Sequence, residues 1–419
     1  MVIVRFIVLV GLGFSSLCFG DIFHYSNLLV GERAMGLGGA FTAVSDDASG
    51  IIYNPAGIAF AISNDISGSA NAYYQRKVVY RQTIGQEDFT EKSSGSTAPF
   101  FGGLQKLDDL YPGLAIAFGV FNLDSELKNQ NDFIVNESLG LQRFHRTANI
   151  RAGTTGAGVA AAMRVLPGLA LGFGVNFVNI DELIQEYQHV AYTDGRFLAQ
   201  NIRTHLQVNS VEYSLGSQLA LGQISLGANL KLRTIATESF DNGVDQTKNF
   251  DDAFLGTLTT LPVPVQTFAN TPEDKPLGIL PFEFKAGVAW FATARLLWSA
   301  DATYIGEAKE GRSQFDREAV TNFATGAEYY ITPSVPVRIG LFTNNDARAE
   351  VVEGKSNQPD HIDYVGSSLF FAWVQPNSQI SIGSIYQVGE GKAQKTTGSA
   401  VQDVEAESIT VAFSATHSF

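Results

Sequence analysis

The chain alternates. In one run the even positions Ile224, Leu226, Ala228, Leu230 and Leu232 are apolar, and Ser225, Gly227, Asn229, Lys231 and Arg233 between them are small or polar. Successive side chains of an extended strand point to opposite faces, so this two-residue period makes a ribbon greasy on one side and polar on the other. The same rhythm sets Leu169, Leu171, Phe173, Val175 and Phe177 against Ala170, Gly172, Gly174 and Asn176. It returns from Phe282 to Trp290, with Glu283, Lys285 and Gly287 on the second face. One such segment would suit any half-buried sheet; the number of segments and their connections decide the matter.

Fourteen segments fit the pattern, near 65–80, 96–106, 112–122, 148–165, 168–188, 204–221, 223–238, 280–292, 294–306, 320–331, 336–345, 361–374, 378–389 and 404–419. Their connections alternate between short and long. Leu166-Pro167, Gly222 and Thr293 are among the short ones; 81–95, 123–147, 189–203 and 239–279 are among the long ones. A soluble sandwich has no reason to gather its long loops at one end. A transmembrane β-barrel does, because short inner turns, long outer loops and an even strand count belong together. Closure also pairs every backbone N–H and C=O where lipid offers no partner. The expected fold is therefore all-β, a 14-stranded antiparallel transmembrane barrel. The last strand agrees: Ile409, Val411, Phe413 and Phe419 share one face, and the chain ends on an aromatic.

Composition closes off the alternatives. The chain is 45% hydrophobic with a net charge of −14, too apolar for disorder and too acidic for a nucleic-acid binder. Beyond the first 20 residues no apolar run is long enough for a spanning helix. Residues 1–20 read as a cleaved secretory signal: Arg5, then the apolar run Phe6 to Phe14, then the small-x-small pattern Cys18-Phe19-Gly20. The run is short for a membrane anchor, and Leu17 is bulky for a lipoprotein site at Cys18. Cleavage after Gly20 removes the only cysteine, so backbone hydrogen bonds and packing, not disulfides, must hold the mature chain.

The stretch 21–60 breaks the rhythm. Glycines at 31, 36, 38, 39, 50 and 57 allow tight turns and close backbone approach, Asp46-Asp47 can cap a short helix, and Pro55 suits the first turn of another. So many small residues let a stretch of about forty fold compactly inside a pore. The expected organisation is a signal at 1–20, a luminal hatch at 21–60 and a barrel at 61–419. Residues Arg33 to Gly57, with Asn54, Pro55 and Ala56 at their heart, resemble the N-terminal hatch of the outer-membrane transporter family for long-chain fatty acids and aromatic hydrocarbons. Pro336 to Asn345 and His361 to Tyr364 also resemble members of that group. The resemblance implies fourteen strands around the hatch, capture of a hydrophobic solute in an outer-loop groove, passage to an apolar luminal pocket and a sideways exit where an early strand kinks. A similar signature occurs in adaptor barrels of protein-secretion machinery, which is the alternative function: a non-transporting envelope binding protein.

The lumen-facing register holds Glu212, Asn229, Lys231, Arg233, Glu283, Lys285, Asp301 and Arg338. Both signs occur, so these residues form either a network tying hatch to wall or, through Lys231, Arg233 or Lys285, a carboxylate-binding site. Pro99, Gly102, Gly103 and Gly119 are candidates for the kinked lateral opening, or for a simple bulge. The long loop 239–279 carries Phe250, Phe254 and Phe268 among its apolar residues, a capture surface or a cover for the barrel mouth.

Enzyme signals are missing. There is no Gly-x-Ser-x-Gly elbow, zinc-protease motif or phosphate loop, and Gly156 to Ala161 imitates a dinucleotide fingerprint inside an alternating strand. The histidines at 24, 145, 189, 205, 361 and 417 lack ligand spacing, and acidic Asp241, Asp245, Asp251 and Asp252 suit a solvated loop more than a calcium site. The reading is a non-enzyme without cofactor or bound metal. It is monomeric by family resemblance, sits among membrane lipid and lipopolysaccharide of a diderm bacterium, and takes up fatty acids or similar hydrophobic molecules passively.

Overall fold

The computed structural model describes residues 22–84, 86–136, 140–250, 260–270, 272–273, 275–356, 358–395 and 400–419; the expected signal at 1–20 and the residue Phe254 lie outside them. Fifteen antiparallel strands are present: β1 (Asp65–Ile84), β2 (Glu87–Lys106), β3 (Leu114–Asn136), β4 (Leu141–Leu166), β5 (Leu169–Tyr192), β6 (Phe197–Leu221), β7 (Ile224–Phe250), β8 (Thr260–Asn270), β9 (Glu283–Thr293), β10 (Leu296–Ile305), β11 (Val320–Thr332), β12 (Val335–Asn344), β13 (His361–Gln375), β14 (Ser378–Ala393) and β15 (Gln402–Ser418). Fourteen of them close a barrel, sealed by the β1–β15 and β6–β7 pairings. The fifteenth, β8, lies only against the upper part of β7, where Gly243 to Phe250 pair with Asn270 to Thr260.

The period-two expectation holds for the direction of side chains. Phe101, Phe118, Val159, Phe173, Leu215 and Leu226 are exposed on the outer surface, a lipid-facing belt. Asn176, Ser214, Lys231 and Ser299 on neighbouring strands are buried in the lumen. The C-terminal strand follows suit, with Phe413 and Phe419 outside and Thr410, Ala412 and Ser414 inside.

The strands are taller than their sequence pattern suggests. The stretches 123–136, 189–192, 197–203 and 239–250, read as loop, continue β3, β5, β6 and β7. Above the belt the outer face meets water instead of lipid and the inner face holds both ion pairs and an apolar cluster, so alternation loses its contrast. By comparison β9, β10, β11 and β12 have only 10 to 13 residues. Between the tall walls lies a second apolar cluster, with Tyr80 and Phe89 on one side and Phe144, Val190, Tyr192 and Phe250 on the other. Buried ion pairs cross with it: Glu91 to Lys128 at 2.7 Å, to Arg146 at 3.2 Å and to Lys395 at 3.0 Å. Side chains thus fill the axis of the outer barrel.

Residues 22–64 precede β1 and occupy the lower lumen as three short helical pieces, Glu32–Gly36, Gly50–Tyr53 and Pro55–Phe60. Their apolar side chains, including Phe41, Val44, Ile51 and Ile58, form one cluster with Phe100, Phe121 and Ala170 of the wall. This is the hatch.

Candidate functional site

The wall receives the hatch by taking up its unpaired backbone groups, as burial demands. Asp301 accepts from the N–H groups of Phe41 at 3.0 Å and Thr42 at 2.8 Å. Asn229 donates to the Tyr53 carbonyl at 3.0 Å, Ser299 to Ala40 at 2.7 Å and Ser368 to Gly36 at 3.0 Å. Asn54 does three jobs at once. Its oxygen caps the short helix by accepting from Ala56 N–H at 3.1 Å, and its amide donates to the Thr42 carbonyl at 2.8 Å and, across to β6, to that of Ser217 at 3.0 Å. Pro55 opens the helix where no N–H is needed. The Asn54, Pro55 and Ala56 motif is therefore a seat in the wall, and wall glycines make room for it: a Cβ on Gly172 would collide with the backbone of Pro55 and Ala56, and one on Gly216 with Asn54. Burial, with Asp46 adding repulsion, raises the carboxyl of Asp47 in the same hatch to about 6.

Above the hatch lies a cavity of about 150 Å³. Leu28, Leu29 and Ile52 of the hatch line it together with Val178, Ile180 and Leu280. Lys231, Arg233 and Lys285 border it too, but each is engaged. Arg233 binds Glu212 and Glu283 at 2.9 Å each, Lys231 lies 3.5 Å from both acids, and Lys285 lies 3.4 Å from Glu283. Adjacent strands supply these partners in register, Glu212 opposite Arg233 and Lys231 opposite Glu283. All three cations are thus paired with acids of the wall itself.

A cation not singled out in the sequence stands apart from it. Arg317, between β10 and β11, is 2% exposed, stacks over Phe23 at 5.5 Å and donates through Nε to the Ile22 carbonyl at 3.4 Å. No carboxylate among the described residues pairs with it, and its Nη1 has no hydrogen-bond partner. Burial pulls its guanidinium below the ordinary value, yet arginine stays charged. The Tyr25 hydroxyl and the Asn322 side-chain nitrogen, also on the cavity, are likewise buried without a partner. Burial raises the Tyr25 hydroxyl, so it remains a donor at neutral pH. No periodicity marks Arg317, because it sits in a connection.

The two described aromatic candidates, Phe250 and Phe268, do not line this cavity. Phe250 is buried in the outer cluster against Tyr192, and Phe268 is 73% exposed on β8. The expected loop is largely a β-hairpin, and hairpin pairing directs its side chains away from a common surface.

The lateral-opening candidates divide. The β2–β3 ladder runs from Lys106 and Ala115 only to Phe100 and Phe121. Pro99 lies at this break, where it cannot donate to a ladder. Gly102, Gly103 and Gly119 sit inside the regular part, Gly102 opposite Gly119, and a Cβ on Gly119 would press on Ile51 at 2.8 Å. These glycines accommodate side chains rather than kink the strand. A bulge falls instead at Leu123, where the β3–β4 register shifts between Asn122 and Asp124. Leu123 packs on the hatch and its carbonyl accepts from Leu28 N–H at 3.3 Å. Beyond the break side chains bridge the seam, Asn122 to Thr97 at 2.8 Å and Gln130 to the Thr90 carbonyl at 2.8 Å. Leu123 and Asp124 line the cavity, so it reaches β3 beside this seam.

A closed barrel with an apolar belt, a plugged lumen and a partly apolar cavity above the plug defines a hatch-filled transmembrane β-barrel. Solved structures share the fold. A FadL homologue from Pseudomonas aeruginosa is 12% identical, with 96% of this chain and 100% of that one covered at a TM-score of 0.61. For the Pseudomonas putida toluene transporter TodX the figures are 13%, 93% and 98%, and 0.65. For the Ralstonia pickettii toluene transporter TbuX they are 11%, 95% and 100%, and 0.58. No protein-family model and no curated protein matches the chain.

Proposed function

We propose that the chain is a passive outer-membrane transporter of hydrophobic molecules, long-chain fatty acids foremost, with residues 1–20 as its export signal, 21–60 as its hatch and 61–419 as its barrel. The cargo rests in the cavity above the hatch and leaves sideways at the β2–β3 seam near Leu123. The observation that carries the choice of cargo is Arg317 with Tyr25 and Asn322: a guanidinium nitrogen, a hydroxyl and an amide nitrogen, each buried without a partner on a partly apolar cavity. A buried unsatisfied donor is costly, and a carboxylate is the acceptor such donors favour, its chain lying along Leu28, Leu29 and Val178 of the same cavity. A plain hydrocarbon would leave them unpaired. The neighbours described as toluene transporters carry a cargo that needs no such group.

Labelled oleate uptake by a deletion strain, with and without the complementing protein, tests the reading; equal rates would end it. Arg317→Gln removes a charge-assisted hydrogen bond worth about 1.5–3 kcal/mol, so oleate uptake should fall roughly tenfold or more. Uptake of labelled toluene should be unaffected by the substitution. Equal losses for both would deny Arg317 a role in recognising the carboxylate.

A further inference from the structure

The wall has a second interrupted seam. β11 and β12 pair from Thr332 and Val335 up to Ala324 and Phe342, and there their ladder stops. Neither strand ends: β11 continues along β10 to Val320, and β12 along β13 to Asn344. Side chains stand in for the missing ladder. Phe323 N–H donates to Thr343 Oγ1 at 2.9 Å, and the Thr343 hydroxyl donates to Asn322 Oδ1 at 3.2 Å. Asn345 donates through its N–H to Asn322 Oδ1 and through its amide to the Thr321 carbonyl, both at 2.8 Å.

The cavity reaches this seam as well, for Asn322, Phe323, Ala324, Phe342 and Thr343 line it. Phe323 is 59% exposed on the outside of the barrel, where its outward neighbours Leu341 and Val365 are 58% and 55% exposed. One residue thus borders both the lumen and the lipid-facing surface. Backbone left to side-chain bridges beside the apolar belt is unusual, since lipid cannot satisfy a group that opens. It is tolerable where the seam gives onto a cavity. In the strand order eight wall strands separate this seam from the β2–β3 seam on one side and six on the other, so the two lie nearly opposite. The outer axis between them is filled by the Glu91 network and its aromatic neighbours.

We propose that the β11–β12 seam is a second lateral portal, through which apolar molecules dissolved in the outer leaflet reach the cavity from the side opposite the β2–β3 seam. The route then crosses the barrel from seam to seam instead of descending its axis. Thr343, Asn322 and Asn345 form the latch. Their side-chain bonds can exchange without unzipping β10–β11 or β12–β13. As a route for cargo the portal rests on the transport function proposed above; as an opening between lipid and lumen it does not.

Two measurements test it, both in a Cys18→Ser background that has no other cysteine. The first uses Ala324→Cys on the lumen side of the seam. A maleimide carried on a phospholipid in the bilayer should label it, whatever the cargo and whether or not transport occurs. Labelling by a water-soluble maleimide alone would overturn the portal. The second joins the strands with Phe323→Cys/Thr343→Cys. Oxidised protein should take up labelled oleate at least fivefold more slowly than the same protein after reduction. Equal rates in the two states would remove the seam from the route. If the Cys18→Ser parent takes up no oleate, the transport reading fails, and the labelling result alone decides the portal.

Discussion

A Gly172→Val chain will conduct ions where the parent does not, because valine at this position leaves the hatch nowhere to sit. The Cβ would fall within 2.5 Å of the Pro55 carbonyl carbon and closer still to Ala56 N. Both are backbone atoms, so no rotamer change relieves the clash. The strand cannot yield either, for Gly172 is paired to Ala162 on β4 and to Gly216 on β6. The hatch must move, and with it go the Asn54 bonds to Thr42 and Ser217. Overpacking of this kind costs about 1–3 kcal/mol, which raises the unseated population roughly five- to 150-fold. Planar-bilayer recordings should show openings at that increased frequency. Gly95→Val, where nothing lies within 4 Å of the added carbon, should record like the parent. Silent Gly172→Val bilayers with a folded barrel would mean that the hatch is not held by this seat.

The same glycine shows what the sequence discloses and what it hides. Its place on an inward register is legible, since Gly172 alternates with Leu171 and Phe173. The fourteen wall strands and the direction of their side chains follow from such local order, because a period of two needs no knowledge of neighbours. The hatch is legible as the place where that order fails. What faces Gly172 is not legible, since contact with Ala56 depends on how a separate segment folds inside the ring. Arg233 and Lys231 could be placed in the lumen, but their engagement by Glu212 and Glu283 depends on register across three strands. The wall height was hidden for another reason. On β3 above Leu123, Asp124, Glu126 and Lys128 alternate with Ser125, Leu127 and Asn129, and neither set is apolar enough to name a face. Arg317 was hidden most completely, because a residue in a connection has no period at all.

Arg338→Met should loosen the hatch at its opposite end, and by more. Arg338 is 1% exposed and binds Glu328 on the neighbouring strand and Glu32 of the hatch. Glu328 also receives Arg33 of the hatch at 3.0 Å, and Arg33 holds Asp46 at 2.8 Å. Gln379 donates to the remaining oxygen of Glu32. Removing Arg338 leaves the buried Glu32 without a cation, while Glu328 keeps Arg33. Breaking a buried pair from one side costs about 3–5 kcal/mol, most of it the penalty on the abandoned charge. Denaturant midpoints and the rate at which added protease cuts the hatch should both register the loss. Adding Glu32→Gln removes the stranded charge while leaving an amide that can meet Gln379, so Glu32→Gln/Arg338→Met should recover most of the stability lost by Arg338→Met alone. That recovery separates an ionic anchor from simple packing: if the methionine chain is destabilised and the double variant is worse still, the side chains fill space and the charges do not hold the hatch.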